Sequence, residues 1–448
     1  MQQKETLFWI WLSEALGPKN RDFRTLIELY ESPYALFNAD ESEIERIADI
    51  KPRTKEVLAQ KSLAQASRVL DACERLQIKI LPYDDDAYPN SLRELREPPV
   101  LLYYYGRLPD FNKQLCIGIV GTRRMSAYGL QSAYKIAYEL ASANVVIVSG
   151  MAAGIDGVSA AATLAAKGTT VAVLGCGLDV VYPNHHKQLM ELIRENGVIL
   201  SEYPPATKPN YYHFPVRNRI ISGISRGTVV VEASMQSGSL ITAKDAVLQG
   251  KEVFALPANV DSSGAEGTNR LLRDGATLVL DTMDILQPYQ YVYANQLQVE
   301  RLQEAKKHSR ADLRYLDRVG VIELTKRTAP AERPAPEASP MPAPRPRPDT
   351  PQRETATAPK NSAGRPKSES PRKTGAPSKD PSPTPDAVLS SLTPIQLAVL
   401  QAIPDDRAIT ADVLQSLEFP WGEVIAALTM LEILGLIQKL PGALYTKA

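Results

Sequence analysis

The stretch His213-Phe214-Pro215-Val216-Arg217-Asn218-Arg219-Ile220-Ile221-Ser222-Gly223 is the point from which the chain is read. An aromatic, a proline and two arginines stand just before an apolar pattern of helical spacing. A strand-like run, Val229-Val230-Val231, follows at once. The stretch therefore belongs to the end of one βα unit, where open α/β sheets place their ligands. Arg217 and Arg219 offer charge to phosphate, and Phe214 offers a flat face to a base. A surface arginine pair solvating a helix start fits these residues equally well, so the rest of the chain decides.

Outward from this stretch, residues 115–280 alternate strand and helix. Strands are expected at Cys116–Val120, Val145–Val148, Thr170–Leu174, Val198–Ser201, Thr228–Val231, Glu252–Leu256 and Thr277–Leu280. Helices are expected at Tyr128–Ala143, Gly157–Ala166, His185–Glu195, Arg217–Ser225, Leu240–Gln249 and Thr268–Asp274. Such alternation means a mostly parallel sheet covered on both faces. Right-handed crossovers make it α/β, a doubly wound, Rossmann-like sheet, assigned to residues 81–290.

The flanks differ. Residues 1–80 carry helical spacing over Thr6–Leu16, Phe23–Tyr30, Ser32–Phe37, Glu41–Ile47 and Thr54–Leu76, broken by Gly17-Pro18, Pro33 and Pro52. They predict a small helical domain of SAM or helix-hairpin-helix type, although no hairpin glycine stands near Ile50-Lys51-Pro52. Residues 291–328 predict a helical extension, with a charged, solvated helix over Val299–Lys326. Residues 329–386 hold 16 of the 35 prolines and almost no apolar residues, so they predict a disordered linker. Residues 387–448 predict a winged helix: helices at Thr393–Ile403, Thr410–Leu417 and Trp421–Leu434, then a hairpin over Leu436–Tyr445. Residues 388–448 carry three basic against six acidic side chains, which favours a protein partner over duplex DNA for this domain.

Bulk chemistry narrows the function. Lys and Arg total 51 against 51 Asp and Glu, so no global field draws nucleic acid and any anion site is local. Cys73, Cys116 and Cys176 lie far apart, without disulfide or zinc spacing. No metal site and no cofactor is expected. With neither a leader pattern nor a membrane-spanning run, a soluble cytoplasmic protein is expected.

Small and polar residues gather where the strands end: Gly121-Thr122-Arg123-Arg124, Ser149-Gly150, Gly175-Cys176-Gly177, Ser201-Glu202, and Glu232-Ala233-Ser234 before Ser237-Gly238-Ser239. In a parallel sheet these ends share one edge. Glycines there admit an anion to backbone N–H groups, and the helix starts that follow favour negative charge. Arg123, Arg217 and Arg219 would converge on that edge. Neither a G-x-G-x-x-G fingerprint after the first strand nor a Walker A loop is present. Glu202 and Glu232, taken as ends of neighbouring strands, and Asp156 have no nucleophile partner. They are expected to hold arginines or cap helices, and no catalytic residue is assigned.

The motifs then become specific. Val120-Gly121-Thr122-Arg123, Ser149-Gly150-Met151-Ala152-Ala153-Gly154-Ile155-Asp156, Gly175-Cys176-Gly177-Leu178-Asp179 with Tyr182-Pro183, Ser201-Glu202-Tyr203, Phe214 to Ile221, and Ser237-Gly238-Ser239-Leu240-Ile241-Thr242-Ala243 occur in this order. The series resembles the DNA-processing protein A family over about residues 80–290, with looser likeness in both flanks. The resemblance implies a single-stranded DNA-binding protein, not an enzyme, that loads the RecA recombinase onto incoming strands in natural transformation. It also implies a homodimer through the Rossmann-like domain. Carried over by motif, Arg123, Ser149, Gly150, Phe214, Arg217, Asn218 and Arg219 would contact DNA, with Lys187 a weaker candidate. Two positions depart from the family: Ala160 stands where many members carry histidine, and Pro257-Ala258 replaces Pro-Gly. The alternative is a phosphoribohydrolase-like enzyme acting on a nucleotide phosphate; the comparable loop, Ser234 to Ser239, lacks the glycine density such enzymes use. A transcription regulator acting through the winged helix is the third possibility, opposed by that domain's acidity.

Overall fold

A computed structural model describes residues 2–262, 264–323 and 392–404, and a discontinuous set of residues between 409 and 447. The chain divides into two compact units, Met1–Ala338 and Ser339–Ala448.

The first unit is built on a sheet of nine strands: β1 Lys79–Pro82, β2 Leu101–Gly106, β3 Cys116–Val120, β4 Val146–Ser149, β5 Thr170–Leu174, β6 Val198–Ser201, β7 Gly227–Val230, β8 Glu252–Ala255 and β9 Thr277–Leu278. Their spatial order is β1-β2-β6-β5-β4-β3-β7-β8-β9. Pairing is parallel from β6 to β9, and β1 and β2 add an antiparallel margin beside β6. Strands β3 to β5 are buried along their whole length, which their unbroken apolar runs require. From β3 the chain winds through β4 and β5 to β6, then returns to β7 on the other side of β3. The order reverses between β3 and β7, whose registered partners include Val120 and Val230. That reversal opens a crevice at the carboxyl ends of these two strands.

All seven expected parallel strands are present, shifted by at most two residues at their ends. The crossover helices are α8 Ala127–Ser142, α9 Ile155–Ala165, α10 Lys187–Asn196, α11 His213–Ile224, α12 Ser239–Leu248 and α13 Glu266–Arg273. The largest difference is in α11, which begins at His213 rather than Arg217. Pro215 does not delay it, because N–H groups in a first turn have no helical acceptor to lose. A second difference concerns Glu202 and Glu232. They follow β6 and β7, which are separated by β5, β4 and β3 and are not neighbours.

Six helices precede β1: α1 Gln2–Leu16, α2 Asp22–Tyr30, α3 Pro33–Asn38, α4 Glu41–Arg46, α5 Pro52–Ala59 and α6 Ala64–Leu76. The single helix expected over Thr54–Leu76 is thus two. Gln60 leaves the helical region at ψ 74°, and Lys61 donates to the carbonyl of Ala39, which turns the chain between α5 and α6. Trp9, Ile10, Trp11 and Leu12 of α1 are all buried and share one apolar core with Tyr103 of β2, Ile117 of β3 and Ile147 of β4. Phe23 meets Tyr83 edge-on at 5.1 Å, and Tyr83 meets Tyr88 at 5.5 Å, so aromatics carry the packing from helices to sheet.

The segment after the sheet differs from a solvated helix. It is broken into short pieces, with α15 at Leu302–His308 and α16 at Leu313–Arg318, after the small α7 Asn90–Arg93 and α14 Thr282–Leu286 earlier in the chain. Leu302, Ala305, Leu316, Val319 and Val321 are buried. Ser309 donates to Glu139 of α8 at 2.8 Å, and the Ala311 N–H donates to Gln131 at 3.1 Å. The many charges lie on the solvent side of a segment clamped along α8.

The expected linker, 329–386, lies outside the described residues. In the second unit, helix Pro394–Ala402 starts at Thr393, whose side chain accepts from the Gln396 N–H in a capping box. The expected hairpin is present: Ile437–Leu440 pairs antiparallel with Leu444–Lys447, and Ile409–Thr410 adds a third strand. Val424, Ala427, Leu428 and Leu431 are buried at helical spacing. Residues 411–418, the expected second helix, lie outside the described residues.

Candidate nucleic-acid site

A cavity of about 260 Å³ opens at the β3/β7 crevice. Three elements build it. The β3 end supplies Gly121 and Arg123, α11 supplies Phe214, Pro215, Arg217 and Asn218, and the start of α12 supplies Ser237, Gly238, Ser239 and Thr242. The first-turn N–H groups of α12 lack helical acceptors, so this end carries partial positive charge. Asp156 near the start of α9 closes the floor.

Arg217 is the structural centre. Its side chain is almost fully buried, with 4% of the residue exposed. Nη1 donates to the carbonyl of Gly150 at 2.8 Å and also to that of Val173, while Nε donates to Asn218 Oδ1 at 3.2 Å. A Cβ on Gly150 would lie 2.5 Å from the guanidinium nitrogens, so glycine is needed there for Arg217 to lie flat on the β4 end. Burial lowers the Arg217 pKa from the ordinary arginine value, and Asp156 opposes that shift. Burial raises the Asp156 carboxyl, and Arg217 with the Gly150 and Ala152 N–H groups holds it down. Arg217 lines the cavity, and its Nη2 group has no hydrogen-bond acceptor among the described residues. It is available to an anion.

The other expected residues divide into two groups. Arg123 is exposed and lies 5.2 Å from the Phe214 ring centroid, so its charge reaches the cavity mouth. Asn218 donates to the Gly238 carbonyl at 3.3 Å and ties α11 to the α12 loop. Phe214 stacks on Tyr182 at 5.3 Å. These residues and Arg217 are brought together. Arg219 is not: it is buried and forms a two-pronged ion pair with Glu202, both oxygens at 2.6 Å from Nη2. Ser149 is buried and donates to the Ile119 carbonyl at 3.0 Å, an internal bond between β3 and β4. Gly150 acts through its carbonyl and its lack of a side chain. Lys187 is exposed at the start of α10 and does not line the cavity.

The carboxylates do what was expected of them. Glu202 holds Arg219, and Glu232 accepts from the Ser126 N–H at 3.0 Å and hydroxyl at 3.1 Å, fixing the start of α8. Burial pushes the Cys73 and Cys116 thiols up to about 12 and Cys176 to about 11, so none is an activated nucleophile. Among the described residues there is no group of three or more His, Cys, Asp or Glu able to hold a metal ion, and no helix long and apolar enough to cross a membrane.

One residue at the cavity was missed. Tyr211 lines it and is 80% exposed, next to Tyr212 at 76%. The signal in the sequence is four consecutive ring-bearing residues, Tyr211-Tyr212-His213-Phe214.

The family model described as DNA recombination-mediator protein A matches residues 79–290. The DNA processing protein DprA of Bacillus subtilis is 42% identical over 220 residues, covering 49% of this chain and 74% of that protein. The protein Smf of Synechocystis is 30% identical over the full length of both chains. The X-ray structure of DNA processing protein A from Streptococcus pneumoniae superposes with a TM-score of 0.56 at 36% identity, covering 63% of this chain and 97% of that one. With a full-length relative at this identity and the family model matching residues 79–290, the chain belongs to the DprA/Smf family of DNA-processing proteins.

Proposed function

We propose that the protein binds single-stranded DNA at the β3/β7 crevice and loads a RecA-type recombinase onto it during natural transformation, acting in the cytoplasm without enzymatic turnover. The observation that carries this reading is the cavity itself. A buried guanidinium with one free donor edge, a second exposed arginine and the start of a helix converge there, and no nucleophile–base pair accompanies them. Arg217 and Arg123 bind backbone phosphates, Asn218 holds the α12 loop in place, and Phe214 supports the arginines and the base beside them. Ser149 and Gly150 shape the β4 end under Arg217, Arg219 braces α11 from behind, and Lys187 extends the track along the sheet edge. The site is small, so protomers act together as a homodimer through the sheet domain, where linkage raises effective concentration. The C-terminal unit serves as a winged-helix module for a protein partner.

The test is an anisotropy titration of the full chain with single-stranded and duplex oligonucleotides at two salt concentrations. Single strands are expected to bind more tightly, with affinity falling as salt rises by about 0.7 log units per log unit for each phosphate contact. Equal binding of duplex, or none of either, sinks the reading. Recombinase loading is read separately, as faster RecA filament assembly on single strands when the chain is present.

A further inference from the structure

Among the described residues, Phe214 and Tyr211 are the aromatic rings that line the cavity. Three protein groups already lie against the Phe214 ring: Tyr182 stacked at 5.3 Å, Arg123 at 5.2 Å and Arg217 at 5.9 Å. That leaves Phe214 half-buried, a support for the two guanidinium groups more than an open face. Tyr211 is in the opposite condition. It lines the same cavity and is 80% exposed, and its ring contact among the described residues is an edge to Tyr212 at 5.9 Å and 79°. The turn that carries it is fixed: Asn210 accepts from the Tyr212 N–H at 3.1 Å through its side chain and from the His213 N–H at 3.0 Å through its carbonyl. Two adjacent exposed aromatic rings are held ready at the mouth of a cationic cavity.

We propose that Tyr211 is a stacking platform for one unpaired base, with Tyr212 buttressing its edge, and that it confers preference for single strands. The inference rests on the single-strand reading above. Unpaired bases expose their faces and stack on aromatic rings regardless of sequence. In a duplex those faces are already covered by neighbouring base pairs. Arg123 and Arg217 position the phosphates, and Tyr211 then takes the base of a nucleotide whose phosphate they hold. The ligand class is an unpaired polynucleotide, with no base-edge donor or acceptor needed for recognition.

The experiment measures binding of the full-length chain to an oligothymidylate of about 12 nucleotides and to the same strand with an abasic run. Tyr211→Ala is expected to weaken binding to the intact strand by about five- to a hundred-and-fiftyfold, the equivalent of losing one stacked base. The slope against salt stays as in the wild type, since no phosphate contact is lost. Tyr211→Phe is expected to retain binding within about twofold. The abasic strand binds the wild type more weakly, and Tyr211→Ala adds little further loss on it. Arg123→Gln serves as the control for the underlying reading and flattens the salt slope by about 0.7. If the wild type binds and Arg123→Gln flattens the slope, but Tyr211→Ala binds as the wild type does, the stacking role is overturned and the single-strand reading stands. If the wild type binds no oligonucleotide, both fall.

Discussion

Arg217 and Arg219 are two positions apart on α11, and a helix turns about 200° over that interval. Arg217 therefore faces the cavity, and Arg219 faces Glu202 on the other side. The helical period already separates the pair within the expected helix Arg217–Ser225, so equal roles for both do not follow from their sequence spacing. Their substitutions are expected to differ. Glu202→Ala leaves a buried guanidinium unpaired and lowers stability by about 3–5 kcal/mol, read as a drop in the denaturant midpoint. At temperatures where the variant is folded, its oligonucleotide affinity stays close to the wild type. Gly150→Ala works the other way. Its methyl displaces the Arg217 guanidinium, so binding to single strands falls at least tenfold by anisotropy while stability falls by about 1–3 kcal/mol. Unchanged binding by a folded Gly150→Ala protein would show that Arg217 needs no such seat.

At the scale of elements, the strands of the central sheet were legible because burial on both faces demands short continuous apolar runs, and here these alternate regularly with helical spacing. The helical extension was misread for the complementary reason. Charges interspersed along it hide five buried apolar residues when the chain is assumed to be one continuous helix. Broken into short pieces, α15 and α16 each turn a few apolar side chains inward. Leu302→Ala is therefore expected to cost about 2–5 kcal/mol, a core value, in chemical unfolding. A cost below about 0.5 kcal/mol would return the segment to the solvent. The strand neighbours were also beyond sequence. Glu202 and Glu232 end consecutive strands in the chain, but the reversal of winding at β3 puts three strands between them.

At the scale of the whole molecule, the helices before β1 and the sheet share one core through Trp9, Phe23 and Tyr83. A thermal scan followed by far-ultraviolet dichroism and by tryptophan emission is expected to show these parts of the first unit losing structure together. Buried His186 adds a pH dependence. Its Nδ1 lies 3.1 Å from the Met151 carbonyl, and burial lowers its pKa from 6.5 to about 4. Between those values the unfolded chain holds a proton that the folded chain refuses. Stability is therefore full above about 6.5 and falls by up to about 1.4 kcal/mol per pH unit as pH drops towards 4. His186→Gln is expected to flatten that limb in denaturant titrations at pH 7, 6 and 5. An acid limb as steep as the wild type's would assign the effect to other groups.

The sequence by itself determined the alternation of strand and helix, the sheet class, the glycine-rich strand ends and the family, because these depend on local periodicity and on motifs in fixed order. Only the tertiary structure decided which charges are free. Arg123 and one edge of Arg217 face the crevice, Arg219 is consumed by Glu202, and Tyr211 rather than Phe214 presents an open ring. Whether a side chain is available depends on what other segments bring against it, and Gly150, Glu202 and Tyr182 lie far from α11 in the chain. Their arrival is set by the winding of the sheet, which no local pattern around residues 213–223 encodes.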